Sequence, residues 1–237
     1  MKQVLTEGLA AMGVAASARM VDQLAIYGQM LIDWNQRVNL TAMTEPGQVA
    51  VYHFLDSATP LAAGLIPENA ALADVGTGAG FPGLVLAILR PDLAVTLIEA
   101  TGKKVTFLEA VIERLGLVGV RALHLRGEEA ARQPAFRENF SVVTARAVAA
   151  LPTLLEVTLP LVRVGGRLVA LKGPSVEEEV AAARKATALL GAAAGRIIPC
   201  QVPGSDRTHR LAVYEKRQKS PSAYPRAAGK PQKQPLI

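Results

Sequence analysis

Cysteine is almost absent from this 237-residue chain: Cys200 stands alone, so no internal disulfide can form and a cysteine-based metal cluster is excluded. A reducing, cytoplasmic setting is the simplest expectation. Long apolar runs are missing too. The longest apolar region, 147–162, is interrupted by Pro152, Glu156 and Pro160 and falls short of the ~20 residues a membrane helix needs. Near the N-terminus Glu7 breaks the apolar stretch, and no long apolar core precedes Ala15-Ala16-Ser17-Ala18, so neither a signal peptide nor a membrane span is predicted. Acids are the scarcer charge, with 26 Lys and Arg against 20 Asp and Glu. The resulting +6 is local: residues 215–237 hold six of the basic residues and one acid, or +5, leaving 20 minus 19, or +1, for residues 1–214. Such a Pro-punctuated basic segment cannot build a core, so 218–237 is expected to be either a solvated tail or a nucleic-acid contact.

What is present reads as a single α/β domain with a modest appendage. Over residues 1–66, Met20, Leu24, Tyr27, Leu31 and Trp34 fall at three- and four-residue steps, which predicts an N-terminal helical cap. A second amphipathic stretch follows Pro46-Gly47 and runs through His53 and Asp56 toward Pro60. Residues 67–217 then alternate. Strands are predicted at 70–75, 93–99, 120–125, 140–144 and 167–171, with helices at 82–89, 103–115, 151–162 and 176–190. Two late apolar runs, 196–202 and 209–214, have no helix between them and should form an antiparallel pair at the sheet edge. The pattern is that of a doubly wound, mostly parallel, Rossmann-like sheet. No internal repeat is evident.

The strand-to-helix junction Asp74-Val75-Gly76-Thr77-Gly78-Ala79-Gly80-Phe81-Pro82-Gly83 fits two patterns. Read as Gly78-x-Gly80-x-x-Gly83, it is a dinucleotide fingerprint, with Glu99 placed to hold a ribose. Read from Asp74, it is the Asp-x-Gly-x-Gly-x-Gly pattern of S-adenosylmethionine (AdoMet) methyltransferases. Asp74 favours the second, because a carboxylate attracts a sulfonium and repels a pyrophosphate. The structural alternative is that the glycines make a tight turn and Asp74 caps the helix. Ligands of an open sheet bind beyond the carboxyl ends of the strands, which singles out Asp74 to Phe81, Glu99 to Thr101, Arg126 to Glu128, Thr144 to Arg146, and Lys172. Gly127-Glu128 would meet an adenine edge, or Glu128 simply favours a helix start. Arg146 points into the crevice or lies on the surface.

Taken with Asn39-Leu40-Thr41, His53-Phe54-Leu55-Asp56-Ser57, Arg126-Gly127-Glu128-Glu129, Ala145-Arg146-Ala147, Leu171-Lys172-Gly173 and Ala223-Tyr224-Pro225-Arg226, the loop resembles the bacterial small-subunit ribosomal RNA methyltransferase G family, also called glucose-inhibited division protein B. The resemblance spans roughly residues 30–237. It implies a class I AdoMet methyltransferase sheet and methylation of guanine N7 in 16S rRNA of the small ribosomal subunit, by a monomer with no membrane partner. It also implies cofactor contacts at Gly76, Phe81, Glu99, Ala100, Thr101, Gly127, Glu128 and Arg146, to which the loop reading adds Asp74 and Gly78. Members often carry Asp where Glu99 stands and Ala or Val where Gly127 stands.

Elementary chemistry agrees. Guanine N7 has an exposed lone pair and attacks without first losing a proton, so no general base is needed. Amine methylation would favour an Asn-Pro-Pro-aromatic motif after the fourth strand, where Thr144-Ala145-Arg146-Ala147 stands instead. Cytosine C5 methylation needs a cysteine nucleophile, and Cys200, in a late strand, reads as a packing residue. Arg146 is the candidate catalytic residue, gripping either the cofactor carboxylate or guanine O6. His53 and Asp56, one turn apart, would line the RNA-facing mouth or form a helix-surface pair, and Asn39 would bind substrate or cap a helix. Lys172, Arg207, His209 and Arg210 are candidate phosphate contacts. Two other classes fit parts of the pattern: an NAD-dependent oxidoreductase, and a noncatalytic RNA-binding protein.

Overall fold

A computed structural model describes all 237 residues. Helices α1 (Lys2–Ala11) and α2 (Ala18–Asn35) open the chain, and Ser17 caps α2 by accepting from the Met20 N–H at 3.3 Å. Helix α3 (Pro46–Val49) widens into a π-helical turn over Ala50–Leu55 and continues as α4 (Asp56–Ala62). Pro60 lies inside α4 without orphaning a carbonyl, because the Thr59 hydroxyl donates to the Asp56 oxygen that proline cannot reach.

Strands β1 (Ala71–Val75), β2 (Ala94–Glu99), β3 (Val120–His124), β4 (Phe140–Arg146), β5 (Val162–Lys172), β6 (Arg196–Cys200) and β7 (His209–Glu215) form one sheet in the order β3-β2-β1-β4-β5-β7-β6. The first five pair in parallel, and β7 inserts antiparallel between β5 and β6, as the late apolar runs predict. Helices α5 (Gly83–Leu89), α6 (Gly102–Leu115), α7 (Gly127–Ala130), α8 (Leu151–Thr158), α9 (Val176–Ala182) and α10 (Arg184–Leu189) cover its faces. The period of two sorts neighbours to opposite faces: Leu72, Val142 and Val169 join a core shared with the cap helices, α5 and α6, while Ala73, Val143 and Leu168 join a core under α8 to α10. Strand order reverses between β1 and β4, and there the crevice opens.

Three expectations are corrected. The helix predicted over 151–162 stops at Thr158, because Pro160 limits the next residues to one 3-10 turn, and β5 begins at Val162 rather than 167. The helix predicted over 176–190 bends at Ala183, whose carbonyl accepts from both the N–H and the hydroxyl of Thr187. The largest correction concerns 218–237, expected as a free tail that is solvated or contacts nucleic acid: its backbone is docked on the domain, although most of its side chains are exposed. Arg137 donates to the carbonyls of Ser220, Pro221 and Tyr224, Arg132 to that of Pro225, and Arg226 pairs at 2.5 Å with the fully buried Glu156. A short helix α11 (Lys230–Lys233) then lies against α8. A segment without a core of its own is ordered by lending carbonyls to arginines of the domain, a pairing invisible to local composition.

Candidate active site

Two clefts flank the end of β4. The first is lined by Val75, Gly76, Ile98, Ala100, Gly127 and Glu128 on one side and by Val148, Leu154 and Val157 on the other. Between the lining residues Ile98 and Ala100, the almost fully buried Glu99 carboxylate ends β2 and accepts from the Gly78 N–H at 2.9 Å and the Thr101 N–H at 2.8 Å. A carboxylate offers about four lone-pair positions, so Glu99 retains room for ribose hydroxyls. Gly76 takes φ of +65°, and a Cβ there would come 2.7 Å from Val148. At Gly127 a Cβ would meet Val157 at 2.5 Å and Val75 at 2.8 Å, so these valines exclude the larger residue common at this position in the family it resembles. An apolar slot with an acid at one end and close backbone approach suits adenosine, and these residues fit AdoMet.

Asp74 has a different place from the one expected. Its carboxylate is fully buried, accepting from the Thr77 hydroxyl at 2.5 Å, the Thr144 hydroxyl at 2.8 Å and the Gly83 N–H at the start of α5 at 2.9 Å. It ties the glycine loop to β4 and caps α5, the structural alternative, rather than facing a sulfonium. Burial pushes its carboxyl up to about 6, against the three hydrogen bonds and the Arg146 charge, which favour ionisation.

The second cleft is polar and is assembled from four segments distant in sequence: Met43, Tyr52, His53 and Asp56 from the cap, Arg146 and Ala147 at the end of β4, Leu171 to Gly173 at the end of β5, and Arg207, Thr208 and His209 before and within β7. Asp56 is its hub. One oxygen accepts from Arg146 at 2.8 Å and the other from His209 at 2.7 Å. Burial opposes ionisation of Asp56, but the bonds from His209 and Arg146 outweigh it and hold the carboxyl below its ordinary range. Arg146 also donates to the Tyr52 carbonyl at 3.1 Å and to His53 Nδ1 at 3.3 Å, leaving two of its five N–H groups free. Since arginine can only donate, His53 Nδ1 is the acceptor, and its Nε2–H donates to Thr41 Oγ1 at 2.7 Å. Burial and the Arg146 charge bring the His53 ring down to about 4, so it is neutral at pH 7.

Phe81 backs the second cleft. Its ring stacks on His53 (centroids 4.7 Å apart) and on Tyr27 (5.5 Å), and the Arg146 guanidinium lies 4.8 Å from its centroid. Tyr27 in turn donates to the Ala79 carbonyl, so the cap grips the glycine loop directly. Immediately after Arg146, Ala147 is held at φ +56°, a conformation that costs a non-glycine residue on the order of 1–3 kcal/mol and turns the chain between the clefts.

The remaining predicted residues divide. Arg207 stacks 4.3 Å over the Tyr52 ring at the rim. Lys172 lines the second cleft but donates to the Ala149 carbonyl and to Glu179, both at 2.7 Å. Arg210 pairs with Glu177 at 3.2 Å and lines neither cleft. Asn39 is exposed; Asn35, not Asn39, closes α2 by accepting from the N–H groups of Leu40 and Thr41. Tyr52 carries no signal in the sequence, Thr41 belongs to the Asn39-Leu40-Thr41 motif without a site role assigned to it, and His209, expected as a phosphate contact, is bonded to Asp56 instead. Cys200 sits on β6 with its thiol raised to about 11 by burial, consistent with a packing role.

The sheet order, the glycine loop at the switch point and the acid ending β2 define a class I AdoMet-dependent methyltransferase. Residues 20–208 match the family model described as rRNA small subunit methyltransferase G (GidB), and the chain belongs to that family. Ribosomal RNA small subunit methyltransferase G of Dehalococcoides mccartyi (strain CBDB1) is 44% identical, covering 98% of this chain and 99% of that one. That of Symbiobacterium thermophilum is 43% identical, covering 98% and 97%. Among solved structures, a predicted O-methyltransferase from Agrobacterium tumefaciens shares the fold, with a TM-score of 0.53 at 21% identity over 70% of this chain and 81% of that one. The YcgJ protein of Bacillus subtilis does so with a TM-score of 0.51 at 14% identity over 70% and 100%. No helix is long and apolar enough to cross a membrane.

Proposed function

We propose that this chain transfers the methyl group of AdoMet to N7 of a guanosine in 16S rRNA, with the cofactor in the first cleft, the base in the second, and Arg146 as the catalytic residue between them. The reading includes a monomer acting in the cytoplasm. The observation that carries it is the protonation chemistry of the second cleft. His53 is neutral but its Nδ1 lone pair is engaged by Arg146, and both Asp56 oxygens accept from Arg146 and His209. Held ionised below the ordinary carboxylate range, Asp56 is a poor proton acceptor, so the cleft offers donors and no strong base.

Guanine presents two acceptors side by side on its major-groove edge, N7 and O6. Donation from the free N–H groups of Arg146 to O6 leaves the N7 lone pair available. When bound, AdoMet supplies a methyl carried on a sulfonium; guanine N7 forms the new bond, the S–CH3 pair returns to sulfur, and no proton need leave. The work of the chain is positioning, worth on the order of 7–11 kcal/mol when the reacting atoms are held in line. Asp56 fixes the Arg146 fork, Phe81 and His53 form its flat floor, and Arg207 stands at the mouth where the RNA backbone would pass.

The test is incubation with labelled AdoMet and small subunits lacking the modification, followed by chemical cleavage at 7-methylguanosine. Label at one guanosine N7 of 16S rRNA is expected; label on protein, DNA or a pyrimidine would overturn the substrate.

A further inference from the structure

The cofactor cleft has a wall that the sequence motifs do not supply. Gln232, on α11 more than 100 residues beyond Gly127 and Glu128, lines the cleft beside them. We infer that Gln232 is a cofactor-binding residue that reads the adenine of AdoMet, and that the C-terminal segment is a built wall of the cofactor site. The inference rests on AdoMet as the cofactor.

Placement is the first argument. The segment is fixed to the two short helices that frame the cleft: the Gly229 N–H donates to Glu128 Oε1 at 3.0 Å on α7, and on α8 the Thr153 hydroxyl donates to the Pro231 carbonyl at 3.1 Å. Upstream, the buried Glu156 holds both the backbone N–H and the guanidinium of Arg226, and the Arg137 fork grips three carbonyls. Glu128 and Thr153 themselves line the cleft, so the wall is anchored to the residues it borders.

Chemistry is the second. Of the side chains lining this cleft, only those of Arg126, Glu128, Thr153 and Gln232 are polar. Thr153 and one oxygen of Glu128 are committed to the segment, whereas the Gln232 amide makes no hydrogen bond within the chain. An amide carries adjacent donor and acceptor groups and matches adenine, whose N6 amine donates beside ring-nitrogen acceptors. By linkage, a ligand that contacts the segment must also hold it in place to the same extent.

The experiment uses the full chain and titrates S-adenosylhomocysteine calorimetrically against wild type, Gln232→Ala and, as a control on the same exposed turn, Gln234→Ala. Gln232→Ala should weaken S-adenosylhomocysteine by about five- to tenfold, with Gln234→Ala unchanged. In wild type, saturating S-adenosylhomocysteine should slow tryptic cleavage after Lys233, and this protection should shrink in Gln232→Ala. Equal affinity and equal protection in Gln232→Ala would overturn the inference while leaving the cofactor reading intact. Failure of the wild-type chain to bind S-adenosylhomocysteine would overturn both.

Discussion

The cofactor cleft and the acceptor cleft adjoin at Gly76, Ala147 and Val148, yet they are built on different principles. The cofactor cleft is framed mainly by residues directly after strands: Gly76 after β1, Ala100 after β2, Gly127 and Glu128 after β3. A parallel sheet puts such residues at one edge whatever the rest of the chain does. The acceptor cleft hangs on one carboxylate, Asp56, which bonds to Arg146 and His209, 90 and 153 residues away. The first kind of site follows from local pattern; the second exists only when cap, sheet and late hairpin are docked.

That difference sets what each half loses on mutation. Arg146→Ala should produce the largest effect, lowering the single-turnover rate by about 100- to 1,000-fold, the usual loss on removing an oriented donor, with S-adenosylhomocysteine affinity little changed. An equal loss of product affinity would place Arg146 in the cofactor half and break the comparison. Arg146→Lys should not restore the rate, because an ammonium cannot replace the fork that spans Asp56, Tyr52 and His53.

His53 yields a stability test. Its folded value of about 4 lies below the ordinary 6.5, so the fold favours the neutral ring; its contribution is present above pH 6.5 and is lost as pH falls toward 4. Asp74, raised to about 6, acts oppositely over the same window, gaining stability for the fold as pH falls. The difference between wild type and His53→Gln isolates the ring. Denaturant melts from pH 7 to pH 4 should show wild type losing up to about 3 kcal/mol relative to the variant. Parallel curves would mean that His53 is not held neutral by Arg146 and burial.

Glu99→Gln sharpens the contrast from the other side. It removes the anionic acceptor of the Gly78 and Thr101 N–H groups and should weaken S-adenosylhomocysteine by about 10- to 100-fold, leaving RNA association unaltered by filter binding. The smallest effect is expected for Arg207→Ala at the rim, where loss of one phosphate-facing cation should weaken RNA binding only a few-fold and reduce the salt slope by about 1. A large loss of turnover at fixed RNA occupancy would move Arg207 into the chemistry.

Legibility followed the same divide. All seven strands and their order of direction were predictable, since buried strands announce themselves as short apolar runs and the late pair lacked room for a helix. Gly76, Glu99, Gly127 and Glu128 were predictable because position after a strand fixes their place. Asp74 was misjudged because its partners, Thr77, Thr144 and Gly83, lie on three different elements. Tyr52 gives no signal because it contributes a backbone carbonyl and a stacking face, and the place of Thr41, though it lies in the Asn39-Leu40-Thr41 motif, is set only through His53. The docking of the C-terminal segment is not legible, because its partners, Arg137 and Glu156, belong to other elements and because proline and lysine density says nothing about carbonyls.

If the acceptor cleft presents N7 to the methyl, replacing that one atom in the target decides the matter. Small subunits carrying 7-deazaguanosine at the mapped position keep O6 and the base-pairing edge but have a C–H in place of the N7 lone pair. The account predicts undiminished association and no methyl transfer at that nucleotide. Continued transfer to the 7-deaza base would contradict it.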